Sequence, residues 1–62
     1  MIGNKYKLAG TTTVFQIMGK SDPYWIIKVY SEGNENLAVN GVLMTQQDMA
    51  ESINTTKQLI LI

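Results

Sequence analysis

Apolar and polar side chains alternate through the middle of the chain, in the stretch Tyr24–Ser31. Successive side chains of a strand point to opposite faces, so Trp25, Ile27 and Val29 would share one wholly apolar face. That face is predicted to point into the core. The other face holds two tyrosines and Lys28 around one isoleucine, and such side chains keep their polar ends in water. We therefore predict a central strand with one buried face and one face that is at most half buried.

Two further strands are predicted before the central one. Residues 4–8 alternate apolar side chains with lysines, which is typical of a strand with one wet face. Residues 12–18 are rich in β-branched and aromatic side chains, which favour strands. The turn-forming residues 19–23 end this strand, since Pro23 cannot donate a hydrogen bond to a ladder. We expect an antiparallel hairpin with a loop of about five residues between the second and third strands.

A second polar turn, Glu32–Asn36, follows the central strand and leads into Leu37–Val39. Asn40-Gly41 comes next and fits a two-residue hairpin turn, in which both central residues have positive φ. We favour this tight hairpin. The alternative is one continuous strand over residues 37–44, bent by a bulge at Gly41.

A change of period at Thr45 predicts a short helix that ends at Ile53. The Thr45 hydroxyl can cap the first turn. Met49 and Ile53 lie four residues apart and form a narrow apolar stripe. A helix of about two turns is unstable alone, so this stripe must dock on the sheet. We expect Trp25 to be buried against this stripe and Phe15.

Four consecutive aliphatic residues follow later in the chain: Leu59, Ile60, Leu61 and Ile62. A strand with aliphatic side chains on both faces is poorly suited to an exposed sheet edge. We therefore expect these residues to pair inside the fold or to meet a second copy of the chain, and a homodimer is the predicted form.

The order of these elements predicts a mainly β fold, with residues 1–62 forming a single small domain. Two forms fit: a small curved antiparallel sheet, or an SH3-like barrel, of about five strands with one short helix before the last strand. The resemblance to an SH3-like barrel lies in element order alone, since the sequence has none of the motifs of the SH3 family. A fold of this kind does not determine a function.

Composition narrows the possible chemistry. The 62 residues have zero net charge, no Cys and no His, which excludes disulfides and zinc sites with thiolate or imidazole ligands. Much acid–base and nucleophilic catalysis uses those two residue types, so we expect a non-enzyme without cofactor or metal. Asp48 and Glu51 share a face of the predicted helix, which we interpret as a solvated surface. So short a chain has a small core, and oligomerisation is the remaining way to stabilise it.

Charged and aromatic residues are distributed unevenly. Residues 1–28 carry four lysines against one aspartate, and residues 29–62 carry four acidic residues against one lysine. Tyrosines and lysines within residues 5–30 could stack bases and contact phosphates of a single-stranded nucleic acid. The six candidates are Tyr6, Tyr24, Lys28, Tyr30, Lys5 and Lys7. Zero net charge and the absence of Arg argue against tight binding, so we expect any nucleic-acid binding to be weak.

Function is therefore predicted only as a class. We expect a small non-enzymatic binding or assembly module that acts through protein–protein contacts. The alternatives are a single-stranded nucleic-acid-binding accessory protein and a structural subunit of a homo-oligomer. No apolar run reaches the ~20 residues of a membrane span, and the first residues lack the apolar core of a signal peptide, which predicts a cytoplasmic protein. The abundance of Ile, Asn, Lys and Tyr, which have A/T-rich codons, is typical of an A/T-rich bacterium, or of a phage or mobile element living in one.

Overall fold

Five antiparallel strands form one sheet in the computed structural model, which describes residues 1–62. The strands are β1 (Lys5–Leu8), β2 (Thr13–Ser21), β3 (Tyr24–Ser31), β4 (Val39–Thr45) and β5 (Leu59–Leu61). Their order across the sheet is β4-β3-β2-β1-β5. The predicted mainly β class, with a short helix before the last strand, is confirmed. The outer strands β4 and β5 do not pair with each other, so the sheet is open and the barrel is not formed.

One face of the sheet carries the main buried cluster, and Val14 and Tyr30 are buried on the opposite face. Residues directly opposite each other on paired strands share a face, and Ile17 of β2 stands opposite Ile27 of β3. Together with Tyr6 of β1 and Leu59 of β5, they form one buried cluster with Met49 of the helical segment. We call this side of the sheet the core face and the opposite side the open face. The predicted apolar faces of β1 and β3 are confirmed as the core face. The expectation that the other face of β3 is at most half buried is wrong at Tyr30, which is buried.

The helix begins where its cap was predicted. Oγ1 of Thr45 accepts a hydrogen bond of 3.1 Å from the backbone N–H of Asp48, and α1 spans Gln46–Ala50. This bond satisfies one of the donors that a first helical turn leaves free. Met49 is fully buried and Ile53 packs against the same cluster. Docking of the apolar stripe on the sheet is therefore confirmed.

The helical backbone continues past the predicted end through a wider turn, Glu51–Thr55. The backbone N–H of Thr56 donates to the carbonyl oxygen of Glu51 at 2.8 Å, which is the spacing of a π-helical turn. Lys57 then adopts a left-handed conformation with φ of 55°, just before the chain enters β5. A residue with a Cβ is disfavoured in that conformation, and helices usually place Gly there.

The hairpin between β2 and β3 differs from the longer loop that was predicted. Both strands continue to a turn of two residues, Asp22-Pro23, whose peptide bond is cis. Met18 is an extra residue in β2, where the pairing register shifts. This bulge reverses the alternation of side chains, so Lys20 stands opposite Trp25 on the core face. Gly19, Lys20 and Ser21, which were predicted to form part of the loop, therefore pair with β3 as the end of β2.

The predicted tight hairpin at Asn40-Gly41 is wrong. Val29 of β3 pairs with Val39, and Ile27 pairs with Val42, so one residue of β3 faces two residues of β4. The segment is thus a bulge inside one strand, and its glycine has φ of 73°. Positive φ at a glycine serves a bulge as well as a turn, so the local residues could not distinguish the two. Because β4 pairs with β3 on both sides of Asn40-Gly41, the segment is a bulge and not a hairpin turn.

Trp25 is half buried at the edge of the core, and not fully buried as predicted. Its side chain packs against the buried cluster, and Nζ of Lys20 lies 5.7 Å from the centre of the indole ring. A lysine over an aromatic ring is a favourable contact. The bulge at Met18 brings that lysine to the core face, so the ring meets a charged side chain where burial by apolar residues was expected.

Candidate functional site

The open face gathers most of the predicted aromatic and basic surface. Lys5 and Lys28 stand in one cross-strand row, and Lys7 and Tyr30 stand in the next. Each pair is separated by one residue of β2. Tyr24 lies on the same face at the other end of β3, where it is partly exposed. Five of the six predicted residues thus share one face, and three of them are lysines.

The three tyrosines do not form a stacking surface. Tyr6 lies on the core face and is buried, with its hydroxyl accepting a 3.3 Å hydrogen bond from Nδ2 of Asn4 and donating to Sδ of Met1 at 3.4 Å. Tyr30 is on the open face but is also buried. Only Tyr24 presents an exposed ring, whereas base stacking along a strand uses several exposed rings.

Two glutamates of the loop after β3 lie over the lysines of the open face. Nζ of Lys7 is 2.7 Å from the carboxylate of Glu32. The carboxylate of Glu35 is 3.4 Å from Nζ of Lys28 and 4.0 Å from Nζ of Lys5. Two glutamates of the acidic second half therefore offset most of the charge of these three lysines, and one net positive charge remains on the open face. Phosphate binding would have to compete with these ion pairs.

The charge of Lys28 lowers the pKa of Glu35 below its ordinary value, and a hydrogen bond from the same ammonium adds to the effect. Lys5 and Tyr30 act in the same direction. The carboxylate is thus held in its ionised form, which favours continued pairing with both lysines. Sequence reasoning did not assign these glutamates to the site. The opposite charges of the two halves were the available signal.

The outer strand β5 presents the most concentrated exposed aliphatic surface of the sheet edges. Leu59 is buried in the core cluster, whereas Ile60, Leu61 and Ile62 are 53%, 60% and 61% exposed. The expectation that this strand could pair inside the fold is wrong, because β5 pairs only with β1. Its other side is free. Charged residues or prolines commonly protect such an edge, and β5 contains neither.

The other outer strand, β4, has a different exposed surface. A groove of about 450 Å³ opens near its start and is lined partly by Val29, Tyr30, Leu37 and Val39. Leu43 is exposed farther along the strand. The bulge interrupts the ladder between these two regions. Apolar exposure on β4 is therefore divided, whereas on β5 it is continuous.

No group of three or more acidic side chains lies close enough together to hold a metal ion. The helical segments also lack the length and apolarity that a membrane-crossing helix needs. No protein family, curated protein or solved structure shows a significant match to the chain. The candidate site therefore rests on the geometry of the sheet edges and the open face.

Proposed function

We propose that this protein is a small non-enzymatic binding or assembly module that acts through protein–protein contacts at its open sheet edge. The observation that carries the proposal is the uncharged outer strand β5, whose exposed Ile60 and Leu61 are followed directly by exposed Ile62. An edge of this kind is a template for pairing with another chain, and contact would remove its apolar side chains from water. We place the module in the cytoplasm, and the residue usage favours an A/T-rich bacterium, or a phage or mobile element living in one, as its source.

A peptide titration tests whether the β5 edge accepts another strand. The probe is a soluble peptide that carries the sequence of residues 58–62 between flanking lysines, added to isotope-labelled protein up to about 1 mM. We expect the amide signals of β5 to shift and those of the central strand β2 to stay in place. Leu61→Lys should weaken the effect, because it places a charge on the edge. Unchanged β5 signals at the highest peptide concentration would contradict the proposal.

Single-stranded nucleic-acid binding is the second candidate, supported by the three lysines on the open face. Their pairing with Glu32 and Glu35 leaves one net positive charge on this face. We expect weak binding whose affinity falls with salt, with a slope of about −0.7 for each phosphate contacted. A labelled oligonucleotide titrated at low and moderate salt measures this. Absence of binding at low salt would remove the nucleic-acid alternative.

A further inference from the structure

The backbone groups of β5 are directed alternately toward β1 and toward the free edge. The carbonyl oxygen of Gln58 accepts from the N–H of Ala9 at 2.7 Å, and the N–H of Ile62 donates to the carbonyl oxygen of Lys5 at 3.0 Å. Antiparallel ladders use every second residue of a strand on a given side. Gln58, Ile60 and Ile62 therefore direct their backbone groups toward β1.

Leu59 and Leu61 are left with their N–H and C=O groups pointing outward, one residue on each side of Ile60. Two donors and two acceptors thus lie symmetrically about one residue. An antiparallel copy of the same strand, centred on the same residue, presents the same four groups in return. The free edge is therefore complementary to itself.

We propose that a second copy of the chain occupies this edge, with β5 paired antiparallel to the partner's β5 about a two-fold axis at Ile60. This inference rests on the proposed function and specifies its partner. Leu59 then stands opposite the partner's Leu61, and the reverse pair is equivalent. Four backbone hydrogen bonds close between these residues, and each exposed Leu61 side chain lies beside the partner's Leu59 on the core face. Ile60 meets the partner's Ile60 on the open face.

A second copy joined at β5 is favoured over one joined at β4. Pairing of β5 with the partner's β4 would be head-to-tail, would leave a free edge on each outer copy and would extend into a filament. The bulge at Asn40-Gly41 also breaks the regular alternation that pairing with β4 would use. The two-fold arrangement closes after two copies and brings no like charges together, since β5 is uncharged.

The size of the contact sets its strength. Pairing through a strand of three residues buries much less than the ~1,200 Å² of a small stable interface, so the dimer exchanges readily. We expect a dissociation constant on the order of 0.1 to 1 mM. Because such a dimer dissociates quickly, a covalent cross-link between the two copies is needed to detect it.

Cysteine cross-linking supplies that measurement, because the chain has no cysteine of its own. In the proposed register the two Ile60 residues form a non-hydrogen-bonded pair with Cα atoms about 4.5 Å apart, within the range of a disulfide. We expect Ile60→Cys to form covalent dimers on mild oxidation at least about tenfold faster than Ile62→Cys, whose two copies lie roughly 13 Å apart. Leu43→Cys, exposed on β4, is the matched control for the other edge.

Equal cross-linking of Ile60→Cys and Ile62→Cys would overturn the register, and faster cross-linking of Leu43→Cys would overturn the choice of edge. Sedimentation of the unmodified protein up to about 1 mM provides the second readout, and a monomer throughout would reject the dimer. Leu61→Pro removes an outward N–H and no hydrogen bond to β1, so it should lower dimerisation while the circular dichroism spectrum stays unchanged. If the protein is monomeric but the peptide still shifts the β5 signals, the homodimer fails and the proposed function stands.

Discussion

The core face and the open face are made by alternate residues of the same strands, yet different interactions hold them. On the core face Tyr6, Ile17 and Ile27 are buried with the helix residue Met49. On the open face only Val14 and Tyr30 are buried, and the partly exposed lysines around them pair with glutamates of the loop after β3. Burial of apolar area is the larger contribution to folding, whereas exposed ion pairs contribute little. The free energy of unfolding should therefore depend mainly on the core face.

Neighbouring isoleucines of β3 give the largest test of this comparison. Ile27 is 0% exposed on the core face, and Ile26 is half buried on the open face. We expect Ile27→Ala to lower the free energy of unfolding by about 2 to 5 kcal/mol, which approaches the whole stability of a small domain. Ile26→Ala should cost about 1 kcal/mol or less. Urea denaturation of both variants measures the difference, and equal losses would show that the two faces contribute alike.

Truncation of Trp25 comes next in expected effect. Complete burial of a tryptophan would make its replacement by Ala cost about 3 to 5 kcal/mol, and half burial reduces this to about 2 kcal/mol. Thermal unfolding of Trp25→Ala, followed by circular dichroism, measures the loss. Tryptophan fluorescence of the unmodified protein should lie between the emission of a buried and of an exposed indole. Emission typical of full exposure would contradict the packing of this ring on the core face.

Lys57 offers a smaller effect in the opposite direction. Its φ of 55° is unfavourable for a side chain with a Cβ, so Lys57→Gly should raise the free energy of unfolding by about 0.5 to 1 kcal/mol. Lys57→Ala removes the same charge but keeps the Cβ and is the matched control. Chemical denaturation should show a gain for Gly alone. A gain for both variants would assign the effect to the charge instead.

The open face gives the smallest effect, visible as a dependence of stability on pH. The pKa of Glu35 is lower in the folded protein than its ordinary value of 4.5, mainly because of Lys28. The ionised carboxylate therefore stabilises the fold above that ordinary value, and this contribution is lost as the pH falls through the lowered pKa. Glu35→Gln should remove this part of the pH profile of the melting temperature. High salt should reduce the difference between the two proteins, because it screens exposed charges. Identical pH profiles of the unmodified protein and Glu35→Gln at low salt would contradict a stabilising role of the Glu35 carboxylate.

Local pattern determined the central strand, its apolar face and the start of the helix. The alternation in Tyr24–Ser31 predicted β3 and its core face, since the side-chain period of a strand depends only on the strand itself. Thr45 predicted the start of the helix, because a cap bonds to a backbone group only three residues away. Both are properties of a short stretch of chain, so they can be derived without knowledge of the partner strands.

Tertiary structure alone decided the register and the surroundings of the candidate site. The bulge at Met18 moves Lys20 to the core face, and the bulge in β4 replaces a predicted hairpin. Pairing between distant segments places β5 at the outer position of the sheet. It also brings the carboxylate of Glu32 to Lys7. A shift of one residue in the pairing register moves every side chain of a strand to the other face of the sheet. The free-energy cost of that shift depends on the residues of the neighbouring strand. The exposure of β5 follows from strand order, which local periodicity does not contain.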